Sequence, residues 1–204
     1  KFWGLSLFGK PSVDSRTEGK PLPTTLSWQE EIQMRPEQQM ALQLCHRSLD
    51  SWGGAFVIAD CGFGKSRCIS RLIYEKKMQA MIVVPQTVLV AQMLEEFQES
   101  KGRKTSLLGL KTAVLQGNWD GMKPEKQASL MDADIVVASL DSLSLFKYPQ
   151  DLMQKFGLVI FDEAHHMAAR TLCEILPRIP AKNICGFSAT PERNDGLSHL
   201  LYWI

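Results

Sequence analysis

The chain has 204 residues, 23 Lys plus Arg against 22 Asp plus Glu, and 45% apolar side chains, an ordinary composition for about one domain with a proper core. A net charge of +1 excludes the strongly basic balance of some nucleic-acid binders, so any polyanion site must be local. No apolar run reaches the roughly 18 residues of a membrane span, no secretory signal opens the chain, and the five cysteines form neither a CxxC nor a Cys/His cluster. The expectation is a soluble, intracellular protein with no membrane association, zinc site or disulfide framework.

In chain order, the first residue is Lys1 rather than Met, and His199 to Ile204 read as an apolar segment cut in mid-course. A piece of a longer protein is expected. Residues 1–32 read as an irregular N-terminal arm or the edge of an upstream domain, because Lys10 to Ser27 holds three prolines and no apolar period. Pro36 suits the first residue of a helix in which Met40, Ala41, Leu44, Cys45 and Leu49 recur at threes and fours.

Six short apolar runs follow as strand candidates: Ala55 to Ala59, Ala80 to Val84, Thr112 to Gln116, Asp134 to Ala138, Gly157 to Phe161 and Asn183 to Phe187. Amphipathic helices are expected over Ser66 to Gln79, with Ile69, Leu72 and Ile73 inward, and over Thr87 to Glu99, with Leu89, Met93 and Phe97 inward. Strands apolar on both faces and separated by helices require a mostly parallel sheet with helices on both faces, since parallel neighbours need crossovers. The class is α/β, doubly wound.

Ala59-Asp60-Cys61-Gly62-Phe63-Gly64-Lys65-Ser66 sits between the first large strand and its helix and fits the phosphate-loop pattern, with Ala in place of the first Gly. Gly62 and Gly64 let backbone amides turn toward a phosphate, Lys65 can reach the outer phosphates, and the Ser66 hydroxyl can ligate magnesium. Leu158-Val159-Ile160-Phe161-Asp162-Glu163-Ala164-His165 sets two carboxylates at a strand end, where open α/β sheets bind ligands. Asp162 would hold Mg2+, and Glu163 would orient or deprotonate the water attacking the γ-phosphate of ATP. Replacing Glu163 with glutamine is then expected to leave nucleotide affinity unchanged and abolish turnover. Cys61 reads as an oxidation hazard, not a nucleophile, Lys101 to Lys104 as a solvated loop, and Trp119 as closing a turn over the core.

With Ser188-Ala189-Thr190 after the last strand, these segments occur in the order of motifs I, II and III of the superfamily 2 helicases, and the chain resembles that family over residues 33–204. Arg35-Pro36-Glu37-Gln38-Gln39, the Asp60-Cys61-Gly62 form of the loop and the run Thr190 to Gly196 look most like the XPB-like DNA helicases and restriction-enzyme translocase subunits. The resemblance implies a RecA-like P-loop NTPase domain of the DEAH-box kind, driven by ATP and Mg2+. Arg35 and Gln38 would read the adenine; His165, Ser188 and Thr190 would couple nucleotide state to the nucleic-acid groove; Pro85, Gln86 and Thr87, with Ser139, Asp141 and Ser142, would hold one strand, DNA rather than RNA. It further implies a second RecA-like domain in the same full-length chain, so that the fragment alone should bind ATP and hydrolyse it poorly. The alternatives are a restriction-system translocase subunit or a nucleotide-dependent remodelling switch that separates no strands.

Overall fold

The computed structural model describes residues 16–29, 32–97, 107–167 and 169–189. In chain order its elements are β1 (Ser27–Trp28), α1 (Pro36–Trp52), β2 (Gly54–Ile58), α2 (Lys65–Lys76), β3 (Ala80–Val84), α3 (Thr87–Glu95), β4 (Leu107–Leu108), β5 (Thr112–Leu115), α4 (Pro124–Asp132), β6 (Ile135–Ser139), α5 (Leu140–Leu145), α6 (Gln150–Gln154), β7 (Leu158–Phe161), α7 (Ala169–Ile175) and β8 (Asn183–Ser188). Short 3₁₀ turns at Trp119–Gly121, Ala164–His166 and Leu176–Arg178 complete them. The six expected strands are found to within one residue at either end.

Those six strands form one sheet in the order β2-β8-β7-β3-β6-β5, and every neighbouring pair is parallel. All five residues of β3, all five of β6 and all four of β7 are buried, as strands covered on both faces must be. Alternate residues feed two cores. Ala80, Ile82 and Val84 pack with Leu42, Cys45, Leu49, Ile69, Leu72 and Ile73 on the side of α1 to α3. Met81 and Val83 pack with Leu130, Leu143, Leu152 and Leu172 on the other. Because every strand points the same way, the loops after all six share one edge of the sheet. The phosphate-loop strand β2 lies at one flank, β8 and β7 come next, and β3, β6 and β5 form the other half.

Helix α1 starts at Pro36 as expected, but of the residues expected at helical spacing only Cys45 and Leu49 are fully buried. Gln38, Leu42, Cys45 and Leu49, spaced four, three and four apart, are buried, while Met40 and Leu44 are 65% and 58% exposed. At 100° per residue, Met40 and Leu44 each stand about 200° from Gln38 and Leu42, on the far side of the helix. The chain leaves α1 through Gly53 at φ 76°, where a Cβ would come within 2.6 Å of the Lys182 carbonyl. Helix α2 stops three residues before its expected end, where Lys77 takes a left-handed conformation at φ 53° and its N–H bonds the Ile73 carbonyl.

The expected irregular arm is docked over its described part. The backbone of residues 17–22 bonds Pro180, Lys155, Gln79 and Lys77 along the sheet edge opposite the motif loops, Leu22 enters the core, and β1 pairs antiparallel with β4. Gly19 backs onto Gly157 so closely that a Cβ would lie 2.0 Å from the Gly157 nitrogen.

Candidate nucleotide site

The loop between β2 and α2 turns on Gly62 and Gly64, both left-handed at φ 81° and 85°, which only glycine adopts without strain. Its shape is fixed from outside. The Phe63 carbonyl accepts hydrogen bonds from Gln38 Nε2 at 2.7 Å and from the Arg35 guanidinium, whose carbon stands 5.8 Å from the Phe63 ring centre. Gln38 Oε1 in turn accepts from the Arg35 N–H at 2.9 Å. The residues expected to read adenine therefore hold the loop itself in this structure.

Inside the loop, Lys65 Nζ donates to the Ala59 carbonyl at 3.3 Å and lies 3.1 Å from Glu163 Oε1. The Lys65 side chain is 9% exposed, and Glu163 is its only ion-pair partner within 4 Å among the described residues. Glu163 is held at φ 48°, a conformation unfavourable for a side chain with a Cβ and common where a site imposes it. Its Oε2 is buried, makes no hydrogen bond, and lies 3.4 Å from His165 Nδ1, which shares a 3.0 Å hydrogen bond with Ser188 Oγ. A continuous row thus joins Lys65, Glu163, His165 and Ser188 across β2, β7 and β8. The Ala59 N–H bonds the Ser188 carbonyl at 2.8 Å, which ties the two loops at their roots.

Asp162 Oδ1 is buried without a partner. Burial, and then the charge of Glu163, push the Asp162 carboxyl up to about 6. A buried, unpartnered carboxylate oxygen on a cavity that the Ser66 hydroxyl also lines is what a hard divalent cation with oxygen ligands would satisfy, so these residues fit Mg2+. The loop residues Asp60, Cys61, Gly62, Gly64, Lys65 and Ser66 form one side of a cavity of about 370 Å³. Asp162 and Glu163 contribute to it as well, and Val84, Leu89, Gln92, Met93 and Glu96 bring in β3 and α3. Arg35, Gln38 and Phe63 do not line it. The α3 wall is not announced by any motif; its signal is the spacing 89, 92, 93, 96 of one helix face.

The loops expected to hold a strand follow β3 and β6, in the half of the sheet away from the phosphate loop. Pro85 is buried, whereas Gln86 and Thr87 are exposed at the start of α3. Ser139 and Ser142 differ from the expectation. Both are buried: Ser139 Oγ accepts from the Ser142 N–H at 3.2 Å and so caps α5, and the Ser142 hydroxyl lies 2.8 Å from it. Only Asp141 of that trio is exposed, and its carboxylate repels phosphate. Cys61 is exposed, and Trp119 packs against the second core. Thr190 and the Lys101 to Lys104 cluster lie outside the described residues.

Comparison with known proteins agrees with this geometry. Residues 31–193 match the family model described as "Type III restriction enzyme, res subunit". The chain is 25% identical over 203 residues to the Acanthamoeba polyphaga mimivirus protein L396, whose name places it among ATP-dependent RNA helicases, covering all of this chain and 36% of that one. It is 28% identical over 146 residues to the DNA 3'-5' translocase XPB2 of Sulfurisphaera tokodaii, covering 72% of this chain and 29% of that one. The chain thus spans about a third of the length of these two relatives. In fold it is similar to the UvsW helicase of bacteriophage T4, with a TM-score of 0.62 and 17% identity over 98% of this chain and 72% of that one. The Sulfolobus solfataricus SWI2/SNF2 ATPase core in complex with dsDNA gives a TM-score of 0.59 at 18% identity, over 85% and 36%.

Proposed function

Because the chain belongs to the family of the type III restriction enzyme res subunit, we propose that it is the first RecA-like motor domain, of the DEAH-box kind, of an ATP-driven superfamily 2 helicase or translocase acting on DNA. The observation that carries this is the convergence on one cavity of Lys65, Ser66, Asp162 and Glu163, from two strand ends about a hundred residues apart in sequence. Lys65 takes the outer phosphates, and Ser66 and Asp162 would hold Mg2+, which supplies neutralisation of phosphate charge. Glu163 accepts the proton of the attacking water. His165 and Ser188 carry the position of Glu163 to the β8 loop, where Thr190 follows in sequence.

The nucleotide has one wall in this domain. A second RecA-like domain in the full-length protein would supply the other, including an arginine finger, whose contribution of about 10³ to 10⁵ in rate makes this domain alone a poor ATPase. Gln86 and Thr87 are the groups best placed to meet a strand, with Ser139 and Ser142 shaping the neighbouring loop from within. Among the described residues no helix is long and apolar enough to cross a membrane.

Calorimetric titration of wild type and Lys65→Ala with ATP and magnesium tests the site: the variant should lose most of its affinity, and equal affinities would refute it. A strand-displacement assay on the full-length protein separates an unwinding motor from a translocase or remodelling switch.

A further inference from the structure

We infer that Gln92, on the face of α3 that lines the cavity, is a further residue of the nucleotide site, its side-chain amide contacting the terminal phosphate of a nucleoside triphosphate or the water that attacks it. This rests on the proposed ATPase reading and extends it to a residue outside every motif named above.

Leu89, Gln92, Met93 and Glu96 occupy one face of α3 and line the same cavity as the phosphate loop and the two carboxylates. That face is anchored: Met93 is buried and Leu89 packs against the same core as β3. Between these apolar neighbours Gln92 is exposed, and its amide makes no hydrogen bond among the described residues. The cavity it lines is the phosphate end, since Arg35, Gln38 and Phe63 lie outside it.

The charge balance of the lining shows what an amide adds there. Asp60, Glu96, Asp162 and Glu163 are carboxylates, with Lys65 the one cation among the lining residues. A phosphate therefore meets acceptors on several sides and gains from every neutral donor. A glutamine amide can donate to a phosphate oxygen and accept from a water at once, the two contacts needed where water attacks a phosphoryl group. A carboxylate at position 92 could offer only the second.

The test is magnesium-dependent titration of the full-length protein with a non-hydrolysable ATP analogue and, separately, with ADP, for wild type, Gln92→Ala and Gln92→Met. The second variant keeps the length of the side chain and its packing while removing its hydrogen bonds. Both variants should bind the ATP analogue about tenfold more weakly and ADP within about twofold of wild type, the loss of one hydrogen bond to a charged group. Equal losses for the two nucleotides would mark Gln92 as a packing residue of α3 and overturn the inference, as would no loss for either. Lys65→Ala in the same series keeps the two readings apart. If it loses nucleotide and the Gln92 variants do not, the inference alone fails; if it binds as wild type does, the site itself is wrong.

Discussion

Replacing Glu163 with glutamine puts the Lys65–Glu163 contact to a quantitative test. As an isolated catalytic base, Glu163 could be neutralised with no effect on nucleotide affinity. The structure predicts a gain instead. In the proposed site the terminal phosphate would need the Lys65 ammonium, which Glu163 Oε1 engages at 3.1 Å. At that separation the gross attraction is about 5 kcal/mol for an effective dielectric of about 20, and desolvation of the nearly buried ammonium cancels most of it. A net contribution of about 1.4 kcal/mol corresponds to about tenfold in affinity. Glu163→Gln should therefore bind a non-hydrolysable ATP analogue with magnesium about tenfold more tightly, while turnover in the full-length protein falls by about 10² to 10⁴. The gain for ADP should be smaller, because it lacks the phosphate that takes Lys65 from Glu163. Calorimetry with both nucleotides at two salt concentrations measures this, and an unchanged or weakened affinity for the ATP analogue would refute the competition.

Three more outcomes follow from single side chains. Asp162→Asn should abolish magnesium-dependent binding yet raise Tm at pH 7.5: the folded carboxyl holds its proton up to about 6, above its ordinary 3.8, so its penalty is absent below pH 3.8 and complete above pH 6. Melting the variant and wild type at pH 7.5 and pH 4 checks the sign, because the gain of about 1 to 3 kcal/mol should shrink toward zero in acid. Lys155, 1% exposed, donates to the carbonyls of Leu130, Met131 and Ala133; Lys155→Met strands these carbonyls and should cost about 3 to 5 kcal/mol, or about 10 °C in Tm. Burial lowers the Lys155 ammonium to about 8, so the unfolded chain binds the extra proton between pH 8 and 10.5, wild type gains on the variant as pH rises, and a gap that is no wider at pH 9.5 than at pH 7 would contradict the assignment. Thr87→Ala should weaken single-strand binding several-fold by anisotropy without changing Tm, whereas Ser139→Ala should cost about 1 kcal/mol for the lost cap, or about 2 to 4 °C in Tm; the reverse pattern would exchange the roles of the two loops.

What was legible in the sequence was local. Six apolar runs dictated six strands, because a strand buried on both faces must be apolar at successive positions. The glycines before Lys65 and Ser66, and the carboxylates after Phe161, are likewise read from adjacent residues, since a phosphate loop and a strand-end acid are built from backbone turns of a few residues. Even there the period of α1 misled. Met40 and Leu44 satisfy a helical spacing, and which of two possible faces turns inward was settled by Cys45 and Leu49 packing on the sheet.

The relations between distant segments belong to the tertiary structure alone. The strand order sets β8 beside β2 and β7 beside β8, which brings Glu163 to Lys65 and Ser188 to His165; no local pattern encodes which parallel crossover neighbours which. Packing likewise decided that the Ser139 hydroxyl is buried as the cap of α5 with the Ser142 hydroxyl against it, and that the Gln92 face of α3 lines the cavity. The sequence by itself determined the α/β class, the strands and the chemistry available at each strand end, because these depend on neighbouring residues. The structure decided which of those groups meet, because a contact across some hundred residues of chain depends on how every intervening element packs.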